Sequence, residues 1–310
     1  MITSIFSKSR PINYVLTTTL LVLSFLLFQF QTSYATISSF EVGKKTILLL
    51  LLVASLYITN FITKKNGLSK DNSYTFFLSF IFFILFPKTL SNGSLIISNL
   101  FILLALRRLI SMQSLIMPKE KIFDASFWIF AASLFNFWCI LFIIVVFTSI
   151  IFHVSKDYRN WVIPFIAFFA VLTMAVLVGL IYNPVSIKNY VSEIAIDFNF
   201  GYIENIFQNI ALSIYITTAL VAFVTMLFIL SGKLSNLHAS YRKIIFAFVI
   251  GVAVFLISPN KDNSFLIYTF VPVSIMLTNF LETIKKYWIK ETILGIIITA
   301  SVVTFVFQLL

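Results

Sequence analysis

The apolar residues of this 310-residue chain do not alternate with polar ones. They come in blocks of roughly 15 to 25, separated by short polar clusters, the spacing expected of membrane helices about 20 residues long. Barrel strands would instead alternate with period two. The blocks place helical spans at 12–30, 45–62, 73–86, 94–110, 122–135, 138–153, 161–181, 206–230, 243–257, 264–281 and 291–309. The pattern predicts an all-α, polytopic helical membrane protein of about eleven transmembrane helices, folded as a single integral domain over 1–310.

One stretch decides the topology. Residues 125–152 form 28 consecutive positions without a charge. As a single helix they would extend about 42 Å, well beyond a hydrocarbon core of roughly 30 Å. As two helices, each arm is short. Basic residues separate the alternatives, because they accumulate in cytoplasmic connections. With a hairpin and a cytoplasmic N-terminus, 17 of the 22 Lys and Arg lie inside and 5 outside. With one helix, everything after 153 changes side and the split becomes 11 against 11. The hairpin is therefore predicted, turning near Phe135-Asn136-Phe137, with its short arms shielded by neighbouring helices. The C-terminus then falls on the periplasmic side.

The N-terminal run could be mistaken for a signal peptide, since Lys8 and Arg10 precede it and "SYA" follows at 33–35. Its apolar core, 12–30, is longer than the 7–15 residues of a signal core, so a retained first helix is expected.

Composition agrees with lipid as the solvent. Sixty per cent of the residues are hydrophobic and 11% are charged, where soluble domains carry roughly a quarter. The net charge of +11 falls on the inner face, leaving the outer face neutral. That suits orientation and anionic membrane lipid. No nucleic-acid motif accompanies it. Cys139 stands alone in an apolar block, and His153 and His238 lack clustered ligands, so neither a metal nor a cofactor is expected. Asn99, Asn136, Asn209 and Asn279 read as polar glue between helices. No span carries a charge near its centre, which weighs against an ion-coupled transporter.

Candidate chemistry is therefore sought in the outer connections. "QTSYATISSFEVGKK" places Glu41 three and four residues before Lys44 and Lys45. The 182–205 loop carries Lys188, and "SPNKDNS" carries Lys261 and Asp262. Within the long loop, Ile187, Tyr190, Val191 and Ile194 share one helical face, the pattern of a short interfacial helix.

The stretch "NLFILLALRRLISMQSLIMPKEKIFDASFWIFAASLFNFWCILFIIVVF" resembles an uncharacterised family of multi-helix inner-membrane proteins from Bacteroidota. More loosely, "FLIYTFVPVSIMLTNFLETIKKYWIKETILGIIITASVV" is similar in pattern to membrane-embedded glycosyltransferases that use polyprenyl-phosphate sugars. That likeness implies a glycosyltransferase-like helical body and an acid in the first outer loop serving as base or metal ligand. Glu41 is the candidate here. Lys44, Lys45, Lys188 and Lys261 would contact a lipid-linked phosphate. Two readings follow. One is a non-catalytic inner-membrane subunit or scaffold of envelope biogenesis, with a membrane-protein partner. The other is an active glycosyltransferase or glycan polymerase on the periplasmic face. A transporter comes third.

Overall fold

The computed structural model describes residues 2–32, 39–182, 194–198 and 206–309, and among these there is no strand. The helices are α1 (Ile2–Phe6), α2 (Pro11–Thr32), α3 (Ser39–Lys65), α4 (Tyr74–Leu85), α5 (Gly93–Ile110) and α6 (Pro118–Ser133). They continue with α7 (Ile143–His153), α8 (Arg159–Tyr182), α9 (Ile206–Leu230), α10 (Ser235–Ile257), α11 (Ile267–Thr283) and α12 (Tyr287–Leu309). Eight segments among the described residues are long and apolar enough to cross a membrane.

Two helices begin well ahead of the hydrophobic blocks, by more than a turn and a half. α3 starts at Ser39 rather than 45, and α10 at Ser235 rather than 243. Charged residues stay helical at helix ends when the dipole favours them. Glu41 sits in the first turn of α3, and Lys64 and Lys65 in its last. Glu41, Lys44 and Lys45 thus belong to a helix rather than to a loop.

The uncharged stretch 125–152 is broken. α6 ends at Ser133, and the amides of Phe135 and Asn136 both donate to the Ala132 carbonyl, at 3.0 and 3.1 Å. Asn136 is extended, and its side-chain oxygen accepts from the Trp138 amide at 3.2 Å, capping a 3-10 turn over Phe137–Phe142. This turn leads into α7, which packs back against α6. An asparagine suits the break because its short side chain satisfies a backbone donor that the interrupted helix leaves open.

The centre of the bundle is built on α4 and α11. Within its most apolar 18 residues the Asn263–Thr283 segment is 89% buried, against 17% for the corresponding stretch of Arg159–Ile181. Eleven of the twelve residues of α4 are buried. α4 is too short to cross lipid unaided, and α2, α3, α11 and α12 pack against it. Phe82, Phe83, Phe86, Tyr215 and Phe270 form one aromatic cluster there, with ring centroids 5.1–5.8 Å apart.

Hydroxyl and amide pairs tie the helices around α11. Thr75 meets Thr278 at 3.0 Å and Ser79 meets Ser274 at 2.8 Å, joining α4 to α11. Tyr215 of α9 reaches Thr269 at 2.6 Å. Tyr268 receives the Asn136 amide at 3.0 Å and pairs with Ser98 at 2.6 Å, so one phenol links the hairpin turn to α5. Between membrane helices each such contact is worth about 0.6 kcal/mol on average, with a maximum near 1.7.

Candidate functional site

The residues singled out for the outer end lie in separate places. Glu41 is exposed on the first turn of α3. Lys44 is exposed, its ammonium 4.5 Å from the centre of the Phe40 ring. Lys45 lines a cavity of about 240 Å³ together with Phe25, Leu26, Gln29, Phe30, Val42, Thr46 and Leu49. Lys261 is buried. Its ammonium donates to the backbone carbonyls of Asp197 and, at 2.8 Å, Leu256, fastening residues 194–198 to the end of α10. Lys188 lies outside the described residues, as does most of the expected interfacial helix. A second cleft at this end, about 280 Å³, is lined by Asn92, Ser94, Leu95, Phe135, Asn136, Pro259, Asn260 and Phe265.

The opposite end is more strongly charged and more tightly organised. Three connections meet there: 66–73, 111–117 and 231–234. The last turn of α11 grips the first of them. Glu282 accepts from the Lys70 amide at 2.7 Å and from the Asn72 side chain at 2.6 Å. Asn279 donates to the Leu68 carbonyl at 2.9 Å and accepts from the Lys233 ammonium at 2.6 Å. Burial, the main influence, holds the pKa of Lys233 below the usual lysine value, while the Glu282 carboxylate acts to raise it. Asp71, in the same connection, is held below the usual carboxylate range by its hydrogen bond to Lys64, 2.8 Å away, and by that lysine's charge.

Lys243 is the most unusual side chain at this end, being fully buried. Its ammonium donates to the Leu109 carbonyl and lies 3.1 Å from His153 Nε2, joining α5, α7 and α10. The Leu109 carbonyl belongs to the C-terminal turn of α5, where the helix dipole favours a cation. Buried cations within membrane helices are rare and mark function by default. The sequence count treated Lys243 as an ordinary basic residue of a cytoplasmic connection, because that count cannot see burial.

Beside this contact a cleft of about 540 Å³ opens between the ends of α3, α5 and α6. Its lining includes four cations, Lys65, Arg107, Arg108 and Lys121, with no acid among the lining residues. The uncharged polar lining is Asn66, Ser111, Gln113 and Ser114. Arg108 pairs with Asp124 at 2.8 Å. Lys65 and Arg107 both lie over the Phe61 ring, at 5.0 and 4.6 Å. Lys121 donates to the Ser111 carbonyl at 2.7 Å and to the Ser114 hydroxyl at 2.8 Å, bracing the connection between α5 and α6. The cations come from the ends of three helices, so no local run in the sequence announces the cleft. The one sequence signal was the Arg107-Arg108 pair before "SMQSLIM".

Among the described residues, no three His, Cys, Asp or Glu side chains converge in a way that could hold a metal ion. No curated protein and no solved structure matches the chain. A family model does match, over residues 1–310, and the chain accordingly belongs to a family of unknown function, DUF6427.

Proposed function

We propose that this chain is an inner-membrane protein with eleven crossings, N-terminus cytoplasmic and C-terminus periplasmic, that serves as a non-catalytic subunit of cell-envelope machinery. The eight long segments, α4, α6 and the 137–153 arm make up the crossings. Orientation rests on the 17-to-5 division of basic residues. The subunit reading rests on how the interior is used: the serine, threonine, tyrosine and asparagine contacts around α11 tie helix to helix. Meanwhile α8 keeps a broad apolar side outward, with Phe165, Phe169, Leu177 and Ile181 exposed, where a partner helix could lie.

A reporter fused after Leu310 is expected to be active only outside the membrane, and one after Lys70 only inside. Finding both on one side would end the eleven-crossing model.

Affinity purification in mild detergent tests the subunit reading. A membrane-protein partner should co-purify in fixed ratio, and changing Phe165 and Phe169 to alanine should release it. The second reading, transfer from a polyprenyl-phosphate sugar, rests on Glu41 preceding by one turn the cavity-lining Lys45. It requires Glu41→Gln to abolish function at normal protein level, because an exposed carboxylate supports little stability. The subunit reading requires the same substitution to be silent.

A further inference from the structure

We propose that the cleft between α3, α5 and α6 binds the phosphate of an anionic lipid headgroup, held by Lys65 and Arg107, with the lipid's chains leaving along Leu115, Ile116 and Met117. This goes beyond the subunit reading and rests on it only for the side of the membrane the cleft faces.

Charge comes first. Four cations line one concavity, and one of them, Arg108, has its own carboxylate in Asp124. Cations gathered without compensating acids repel one another, which costs stability unless an anion joins them. Arginine offers a planar fork that matches two phosphate oxygens, and lysine adds a point charge. Phe61 sets both Lys65 and Arg107 over one ring, so their heads are held at the mouth rather than free to trail into water. Ser111, Ser114 and Asn66 supply further polar groups on the same wall.

The rim says which phosphate. Leu115, Ile116 and Met117 are 57%, 66% and 63% exposed, and Ile116 lines the cleft itself. Three consecutive exposed apolar residues are ill suited to water but well suited to the boundary between headgroups and acyl chains. Leu115 and Met117 also carry positive φ, 54° and 47°. Such backbone is unfavourable for non-glycine residues and persists where its surroundings hold it. Here the Leu115 amide donates to the Met112 carbonyl at 3.0 Å and the Lys121 amide to the Met117 carbonyl at 3.3 Å, while the Lys121 ammonium ties Ser111 and Ser114 beside them. The same lysine thus lines the cleft and braces the apolar rim. A soluble phosphate compound would need the cations but not the rim.

The experiment uses the full chain, delipidated in a neutral detergent, with bound lipid counted by native mass spectrometry. The probes are dioleoylphosphatidylglycerol, dioleoylphosphatidylcholine and inorganic pyrophosphate. The wild type should prefer phosphatidylglycerol over phosphatidylcholine. Lys65→Gln with Arg107→Gln should weaken that binding at least tenfold, since each charge-assisted contact contributes roughly that much. Ile116→Asp should weaken it too. Lys119→Gln should not, because Lys119 faces Asp157 outside the cleft. Should the double variant fail to elute as a folded species, the wild type still decides: phosphatidylglycerol, and not phosphatidylcholine, should shield Arg107 from phenylglyoxal. Undiminished lipid binding by a folded double variant, or no shielding, would overturn the site. Cleft-dependent binding of pyrophosphate without lipid preference would overturn the lipid assignment. None of these arms depends on which side of the membrane the cleft faces, so they fail separately from the reporter fusions.

Discussion

Replacing Gly251 by alanine is expected to destabilise the protein by about 1–2 kcal/mol, although alanine is the better helix former by about 1 kcal/mol. Gly251 lies in α10 where that helix meets α11. A Cβ added there would stand 2.7 Å from Thr269 Cγ2 and 3.3 Å from both the carbonyl carbon and the carbonyl oxygen of Tyr268. Backbone at 3.3 Å gives way only if a helix moves. Thr269 cannot simply rotate away, because its hydroxyl is engaged by Tyr215 and donates to the Leu266 carbonyl, both at 2.6 Å. The close approach has a cause in the sequence. Pro272 has no N–H, so the Tyr268 carbonyl lacks the donor an uninterrupted helix would give it. Its oxygen lies against the bare glycine instead. Gly251→Leu should prevent folding into a detergent-stable species. Gly295 in α12 is the control, since a Cβ there meets nothing within 4 Å. Gly295→Ala should match or slightly exceed the wild type in thermal unfolding followed by size-exclusion chromatography. If Gly251→Ala proved as stable as Gly295→Ala, the tight α10–α11 contact would be wrong.

The same contrast shows what the chain discloses in one dimension. The hairpin at Asn136 was legible because lipid imposes a length and the charge rule imposes a parity, and 28 uncharged residues satisfy both only when folded in two. Helix starts at Ser39 and Ser235 were not legible from hydropathy. The residues ahead of each apolar block or opening it, Glu41, Lys44 and Lys45, then His238, Arg242 and Lys243, look like connection although they are helical. Which helices would be central was also hidden. α4 and α8 are both almost purely apolar, yet one is enclosed and the other faces outward. In lipid, apolar character does not distinguish a core side chain from a surface one. Small and polar residues do: Ser79, Ser274, Thr278 and Gly251 mark the enclosed contacts. The basic cleft illustrates a different limit. Lys65, Arg107 and Lys121 were each counted toward the inner face, and only the fold brings them into one concavity.

Replacing Asn279 by leucine is expected to cost about 2–3 kcal/mol and to loosen one connection selectively. The amide is fully buried near the end of α11. Its nitrogen donates to the carbonyls of Leu68 and Ile275, each at 2.9 Å, and its oxygen receives Lys233 at 2.6 Å. The Tyr241 hydroxyl lies 2.9 Å from the Leu68 carbonyl and 3.2 Å from the Asn279 oxygen, with one proton to offer. Leucine has the same branched shape and greater bulk, so no cavity is left, and the loss is chiefly that of the hydrogen bonds. Lys233 is half-buried, so its ammonium keeps part of its hydration, which discounts the charged bond without removing the cost of stranding the cation. The Leu68 carbonyl keeps Tyr241. What is lost outright is the clamp between α11 and the 66–73 connection, leaving Glu282 to hold it through Lys70 and Asn72. Hydrogen exchange reads this directly, because the Leu68 amide bonds the Thr63 carbonyl at 3.0 Å and reports whether the connection opens. Exchange at 66–73 should rise well before exchange in α4 or α11 does. Tyr241→Phe should raise it less, since Asn279 still donates to Leu68. Combining Asn279→Leu with Lys233→Met should recover part of the loss, because the second change removes a cation left without its acceptor. A double variant less stable than Asn279→Leu alone would mean that Lys233 stabilises the bundle through its ammonium, 5.4 Å from the centre of the Tyr241 ring, rather than through the amide.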